Sequence, residues 1–261
     1  MEPKYVVMGQ PVSHSLTPRL IDYVLKNFRL EGTVGFLDTA EKSSEAMRRS
    51  LSGVSCASVT MPLKEAAFTF CDEVSETARR IRSVNSIKRS GDQWQGISTD
   101  GEGFVAALRA ERGVNVSDLH VAILGTGGSA RAIIDASVAN DARVSVFGRN
   151  FVEGDAVTTI YPSVSFNDLS RGTIDLVVNT IPSSAGSDRI FVNLEPGLNS
   201  QTLGFDVTYE PRETEWMKYL GNRFGALSTN GLAMLVHQAK IQFDWWFGID
   251  VDVNELMEVA R

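Results

Sequence analysis

From Val121 to Asn150 the chain reads VAILGTGGSARAIIDASVANDARVSVFGRN, a pattern that few folds can accommodate. Val121 to Leu124 is an apolar run of strand length. Gly125-Thr126-Gly127-Gly128-Ser129-Ala130 fits the G-x-G-x-x-G/A pattern. Arg131 opens a stretch whose Ala132, Ile133, Ile134, Ala136 and Val138 suit a helix packed on a sheet, and Asn140-Asp141 ends it. Val144 to Phe147 is a second strand. Strand, glycine turn, helix and strand in that order make a Rossmann-type unit. Gly125 permits the tight turn, Gly127 lets the backbone approach a pyrophosphate, and Ala130 lets the helix lie close to the strand. The first N–H groups of the helix then favour the phosphates. An ordinary βαβ turn is the plain alternative, and the strand–turn–helix context weighs against it.

The end of the second strand selects the dinucleotide. An acid there suits the ribose 2′-OH of NAD, whereas an arginine suits the 2′-phosphate of NADP. The chain has Gly148-Arg149-Asn150, which points to NADP, with Arg149 and Asn150 as cofactor ligands. A solvated loop arginine is the competing reading of Arg149.

The 261 residues are enough for two domains. Hydrophobic residues make up 43% and charged ones 22%, the balance of a globular protein. A formal net charge of −7, spread along the chain, argues against nucleic-acid binding. No run approaches the ~20 apolar residues of a membrane span, and the first residues do not read as a secretory leader. Cys56 and Cys71 read as free thiols. With His14, His120 and His237 they give no metal-ligand spacing, so no metal is expected. A cytoplasmic location follows as the default.

Elsewhere strands and helices alternate, which implies a mainly parallel sheet. Strands are expected at Lys4–Met8, Thr33–Leu37, Val54–Met61, Val84–Lys88 and Trp94–Ile97. After the glycine unit they are expected at Ile174–Val178, Thr202–Val207 and Phe224–Leu227. Helices are expected over Arg19–Phe28, with Thr17 as N-cap before Pro18, and over Glu41–Leu51, Glu65–Phe70, Gly231–Phe247 and Val253–Val259. Another helix carries Phe104, Val105, Ala107 and Leu108.

Lys64 stands out because it falls in the first turn of a helix, where the dipole disfavours a cation. Local rules tend to be broken at functional sites, which makes Lys64 a candidate for acid/base work. An exposed lysine is the alternative. Asp100 follows Thr99 and precedes Glu102, which is also good capping chemistry. Spacing cannot show that the two meet. If both sit at the carboxyl ends of neighbouring strands, they face the same crevice.

Seven motifs in order resemble the shikimate dehydrogenase family. Gly9-Gln10-Pro11-Val12-Ser13-His14-Ser15-Leu16-Thr17-Pro18 resembles its G-x-P-I-x-H-S-x-S-P loop, and Ser58-Val59-Thr60-Met61-Pro62-Leu63-Lys64 its N-V-T-x-P-x-K. Val84-Asn85-Ser86 resembles V-N-T, and Ser98-Thr99-Asp100-Gly101-Glu102-Gly103 resembles N-T-D-x-x-G. The glycine turn resembles G-A-G-G-A-A-R, and Gly148-Arg149-Asn150 resembles N-R-T. Gly231-Leu232-Ala233-Met234-Leu235-Val236-His237-Gln238-Ala239 resembles G-x-x-M-L-x-x-Q-A.

The resemblance implies an α/β chain of two domains. Residues 1–102 with 232–261 would form the substrate-binding catalytic domain, to which the C-terminal helices return. Residues 103–231 would form the NADP-binding Rossmann domain. It implies reversible, NADPH-dependent reduction of 3-dehydroshikimate to shikimate in aromatic amino acid biosynthesis. Lys64 and Asp100 would be catalytic. Ser15, Thr17, Thr60, Asn85 and Gln238, with Tyr209 as an addition, would hold the substrate. Gly125, Thr126, Gly127, Gly128, Ser129, Ala130, Arg149, Asn150 and Gly231 would hold NADP. The small-molecule substrate is the expected partner, with no nucleic acid and no membrane, and the protein is expected as a monomer or homodimer.

Departures from the family pattern leave two other readings open: a quinate/shikimate dehydrogenase and a non-catalytic nucleotide-binding relative. Thr17 replaces a serine, as in relatives that accept quinate. Ser58 and Ser98 replace asparagines, and Asn230 replaces an aspartate. The nicotinamide-side stretch Asn179–Gly186 follows its pattern loosely, and Ser187 replaces a methionine.

Overall fold

The computed structural model describes residues 2–168, 172–182 and 194–261. Two compact units account for the chain: Met1–Gly103 with Leu235–Arg261, and Phe104–Met234.

In the first unit the strands are β1 (Lys4–Gly9), β2 (Thr33–Asp38), β3 (Cys56–Val59), β4 (Glu73–Val74), β5 (Ser86–Ser90) and β6 (Gln93–Ile97). They form one sheet in the order β2-β1-β3-β5-β6-β4. β1 runs parallel to β2 and β3, and β4 parallel to β6. β5 runs antiparallel to both its neighbours, so the sheet is mixed. The reason is the short turn between β5 and β6, which can join only antiparallel strands. One consequence matters for the site. The amino end of β5 lies at the same edge as the carboxyl ends of β3 and β6.

The helices of this unit are α1 (Thr17–Asn27), α2 (Ser44–Ser50), α3 (Lys64–Phe70) and α4 (Glu76–Ile81). A cluster including Val6, Met8, Met47, Leu63, Ala67, Phe70, Ile87 and Trp94 forms the core beneath α2 and α3. Thr17 is the first helical residue of α1 and not its cap. Leu16 occupies the cap position without a side-chain bond, and the Thr17 N–H donates to Ser15 Oγ at 3.2 Å. α4 was not expected, because its surface is polar, but Ser75 caps it by accepting from Ala78 N.

The second unit holds β7 (His120–Leu124), β8 (Arg143–Phe147), β9 (Ser165–Phe166), β10 (Leu176–Asn179), β11 (Leu203–Asp206) and β12 (Ser228–Thr229). All pair in parallel, in the order β12-β11-β10-β7-β8-β9. This is the doubly wound order, with its reversal between β7 and β10. Such strands are buried on both faces, and β7 and β10 are buried throughout.

Its helices are α5 (Asp100–Arg112), which crosses from the first unit, α6 (Gly128–Ala139), α7 (Phe151–Ile160) and α8 (Glu215–Phe224). The strand expected at Phe224–Leu227 is displaced. Phe224 ends α8, Gly225 stops the helix at φ 68°, and only Ser228 and Thr229 pair with β11. The apolar residues of that stretch close a helix and do not form a strand. α9 (Leu232–Phe247) then leads back into the first unit, and α10 (Val253–Ala260) completes it.

α9 is held in the first unit by aromatic contacts. Tyr5 on β1 lies 6.3 Å from Trp246 and 5.2 Å from Phe247, ring to ring. Lys88 on β5 donates to the Trp245 carbonyl at 2.9 Å and sits 4.4 Å over its ring. A cation suits the exposed carbonyls at a helix end.

Candidate active site

At the shared edge of β3, β5 and β6, five polar side chains meet in the first unit. Lys64 opens α3 directly after the loop from β3, and its carbonyl accepts from Val84 N at 3.0 Å. Asn85 precedes β5. Thr99 and Asp100 follow β6. Gln238 reaches in from α9.

Lys64 Nζ donates to Asp100 Oδ2 in a short ion pair. The side chains are 15% and 7% exposed, so little solvent screens them. The strands that lead to them are not neighbours, because β5 lies between β3 and β6. Asn85 fills that gap. Its Nδ2 is 2.9 Å from Asp100 Oδ1, 2.9 Å from Thr99 Oγ1 and 3.0 Å from Gln238 Oε1. Its Oδ1 accepts from Thr99 N at 2.8 Å, which fixes which way the amide faces. Thr99 Oγ1 donates to Gln238 Oε1 at 3.1 Å, so its hydroxyl reaches across to another element instead of capping α5. Gln238 Nε2 donates to Leu235 O at 3.0 Å. The result is a buried amine and carboxylate, with amides and a hydroxyl around them. Such a set can exchange a proton and recognise hydroxyl groups.

The other expected substrate residues lie on adjoining loops of the same unit. Thr17 is buried, and Ser15 Oγ accepts from its N–H. Thr60 follows β3. A Cβ on Gly9 would stand 2.5 Å from Thr60 Cγ2, which shows how closely the Gly9–Pro18 loop packs on this segment. Tyr209 is partly buried in the second unit, after β11.

In the second unit the glycine turn leaves β7 at the point where the strand order reverses. Gly125 has φ 110°, and a Cβ there would stand 2.5 Å from Thr180 Oγ1. Only glycine fits. Gly127 caps α6, and a Cβ there would meet nothing within 4 Å. The turn therefore presents an open cradle before a twelve-residue helix with no acid in its first turn. This is the donor set a pyrophosphate needs, and the residues present fit a dinucleotide. Ala130 is fully buried against the sheet. Gly231 is forced by close approach, since a Cβ would stand 2.1 Å from Val207 O.

Arg149 is exposed at the end of β8, and Asn150 caps α7 by accepting from Glu153 N at 3.3 Å. Sequence reasoning missed Glu153, whose carboxylate accepts a short hydrogen bond from the Thr126 hydroxyl. The signal was present, since Asn150 followed three residues later by Glu153 is a helix-start pattern. Asn230, standing in place of an aspartate, accepts from Leu232 N, the first N–H of α9, at 3.0 Å. Its amide also donates to Arg212 O at 2.8 Å, a bond that an aspartate could not make. Ser183 to Ser187, in the nicotinamide-side segment, lie outside the described residues. Among the described residues no group of His, Cys, Asp and Glu could hold a metal ion, and no helix is long and apolar enough to cross a membrane.

Two family models match parts of the chain. A family model described as the shikimate dehydrogenase substrate binding domain matches residues 7–87. One described as the shikimate 5'-dehydrogenase C-terminal domain matches residues 231–261. A shikimate dehydrogenase (NADP(+)) of Acidiphilium cryptum is 34% identical over 258 residues, covering 96% of this chain and 92% of that protein. One of Symbiobacterium thermophilum is 32% identical over 261 residues, covering 93% and 88%. A crystal structure of shikimate 5-dehydrogenase from Thermus thermophilus, in complex with NADP(H) and shikimate, is 26% identical. It superimposes with a TM-score of 0.83 and covers 99% of this chain and 98% of that one. With relatives this similar along nearly its whole length, the chain belongs to the shikimate dehydrogenase family.

Proposed function

We propose that this chain is an NADP-dependent shikimate dehydrogenase, catalysing the reversible reduction of 3-dehydroshikimate to shikimate. The observation that carries the reading is the buried Lys64–Asp100 pair surrounded by Asn85, Thr99 and Gln238. Full-length relatives of that activity support it.

NADP(H), held by Gly125 to Ala130, Arg149 and Asn150, would supply hydride to the carbonyl carbon or take it back in the reverse direction. Lys64 gives a proton to the substrate oxygen on reduction and removes it on oxidation. Asp100 holds the Lys64 amine through one oxygen and is itself held by Asn85 through the other. Asn85 and Gln238, with Ser15, Thr17 and Thr60, supply donors and acceptors for the ring hydroxyls and carboxylate. A polyol is selected by such a set, because each unmatched buried polar group costs about 1–3 kcal/mol.

Gly125 to Ala130 would hold the pyrophosphate of NADP, Arg149 and Asn150 the ribose phosphate, and Gly231 is proposed as a further cofactor contact through its backbone. Residues 1–102 with 232–261 would be the substrate domain, and 103–231 the cofactor domain. The proposed setting is the cytoplasm, and the proposed state a monomer or homodimer. The test is a steady-state matrix of shikimate and quinate against NADP and NAD. Turnover should be fastest with shikimate and NADP. Faster turnover of quinate would replace the substrate assignment, and binding of NADPH without turnover would replace the enzyme by a nucleotide-binding relative.

A further inference from the structure

One charged side chain at the cofactor end of the second unit has no part in the assignment above. Glu153 lies in the first turn of α7, three residues after Asn150. Its carboxylate accepts from the hydroxyl of Thr126, inside the glycine turn. Thr126 is itself buried, and its Cγ2 would stand 3.2 Å from a Cβ on Gly148. Glu153 is thus anchored on the glycine turn, beside the end of β8. In a doubly wound fold those two segments meet the pyrophosphate and the adenosine ribose. Asn167 fixes the segment further, accepting from Gly148 N at 3.1 Å and donating to Gly148 O at 3.0 Å.

The chemistry of the two charges is opposed. A guanidinium pairs with a 2′-phosphate. A carboxylate repels that phosphate and accepts from the hydroxyls of a ribose that lacks it. The end of β8 carries no acid of its own, so a carboxylate there has to come from another element.

We propose that Glu153 is a cofactor-selectivity residue, opposing the 2′-phosphate that Arg149 attracts and accepting from an unphosphorylated ribose. This inference rests on the cofactor reading above. The site then binds NADPH and NADH with similar strength, because one partly screened charge is worth only about tenfold in affinity.

Direct titration of the full-length protein with NADPH and with NADH, followed by calorimetry, reads both constants without turnover. For the native protein the two dissociation constants should lie within about tenfold of each other. Glu153→Gln should tighten NADPH about tenfold and weaken NADH, moving the ratio toward NADPH. Arg149→Ala should move it the other way. Circular dichroism checks that the variants are folded, and the native ratio tests the proposal whether or not they fold. A native preference for NADPH above about a thousandfold overturns it. So does a Glu153→Gln ratio equal to the native one while Arg149→Ala still shifts, which leaves the cofactor reading standing. An unchanged ratio in Arg149→Ala removes the cofactor reading and this inference with it.

Discussion

A methyl group on Gly103 would stand 2.7 Å from the Gln238 Cβ and 2.8 Å from its backbone nitrogen. α5 and α9 touch backbone to backbone at the residue that brings the amide to Asn85. Gly103→Ala should therefore push Gln238 out of its network and raise the shikimate KM by about tenfold, with a smaller effect on kcat. An unchanged KM would show that Gln238 does not position substrate. The ion pair has a different signature. Asp100→Asn keeps the shape and removes the charge that balances a Lys64 side chain only 15% exposed. Leaving that cation without its counter-charge should cost about 3 kcal/mol in denaturant unfolding.

Burial pushes the thiols of Cys56 and Cys71 up from 9.0 to about 12. The folded state holds its protons where the unfolded chain loses them. The thiols are therefore neutral for stability below about pH 9 and destabilise between about 9 and 12. Replacing both with alanine should flatten the alkaline fall in stability; an identical fall would contradict their burial. At this scale the sequence named Lys64 and Asp100 as residues but could not pair them. Their meeting depends on Asn85 bridging a strand that lies between. Glu153 was invisible as a site residue because its meaning comes from contact with Thr126, 27 positions away.

Strands and helices with strong patterns were legible. The apolar runs of β1, β3, β7, β8 and β10 announced themselves because strands buried on both faces need no alternation. The short polar helix α4 did not, nor did α7, whose apolar Phe151, Val152 and Ile160 are exposed and form no buried stripe; caps at Ser75 and Asn150 start both. α8 was hidden because its last apolar residue, Phe224, runs straight into Ala226 and Leu227 and imitates a strand. Within α9 the polar face continues past Gln238. Gln242, one turn on, is fully buried, and neither amide atom has a hydrogen-bond partner among the described residues. Gln242→Leu, of similar volume, should stabilise the protein by about 1–3 kcal/mol and leave kcat/KM unchanged. A loss of stability would mean that the amide has a partner after all.

Over the whole molecule the two units divide the chemistry. The first contributes proton exchange and hydroxyl recognition, the second a glycine cradle at the switch point of a parallel sheet. The cradle was legible from sequence because a turn that only glycine can make leaves a local mark. The substrate side was legible only as a resemblance, because its residues come from five segments brought together by a mixed sheet. The claim that joins the units is that Lys64 handles the proton while the cofactor handles hydride. The direct measurement is the rate of shikimate oxidation by folded Lys64→Ala with saturating NADP, alongside its shikimate KM. The account predicts a kcat lowered by about 10²–10⁴ with KM changed far less. A variant that keeps most of the native kcat would contradict it.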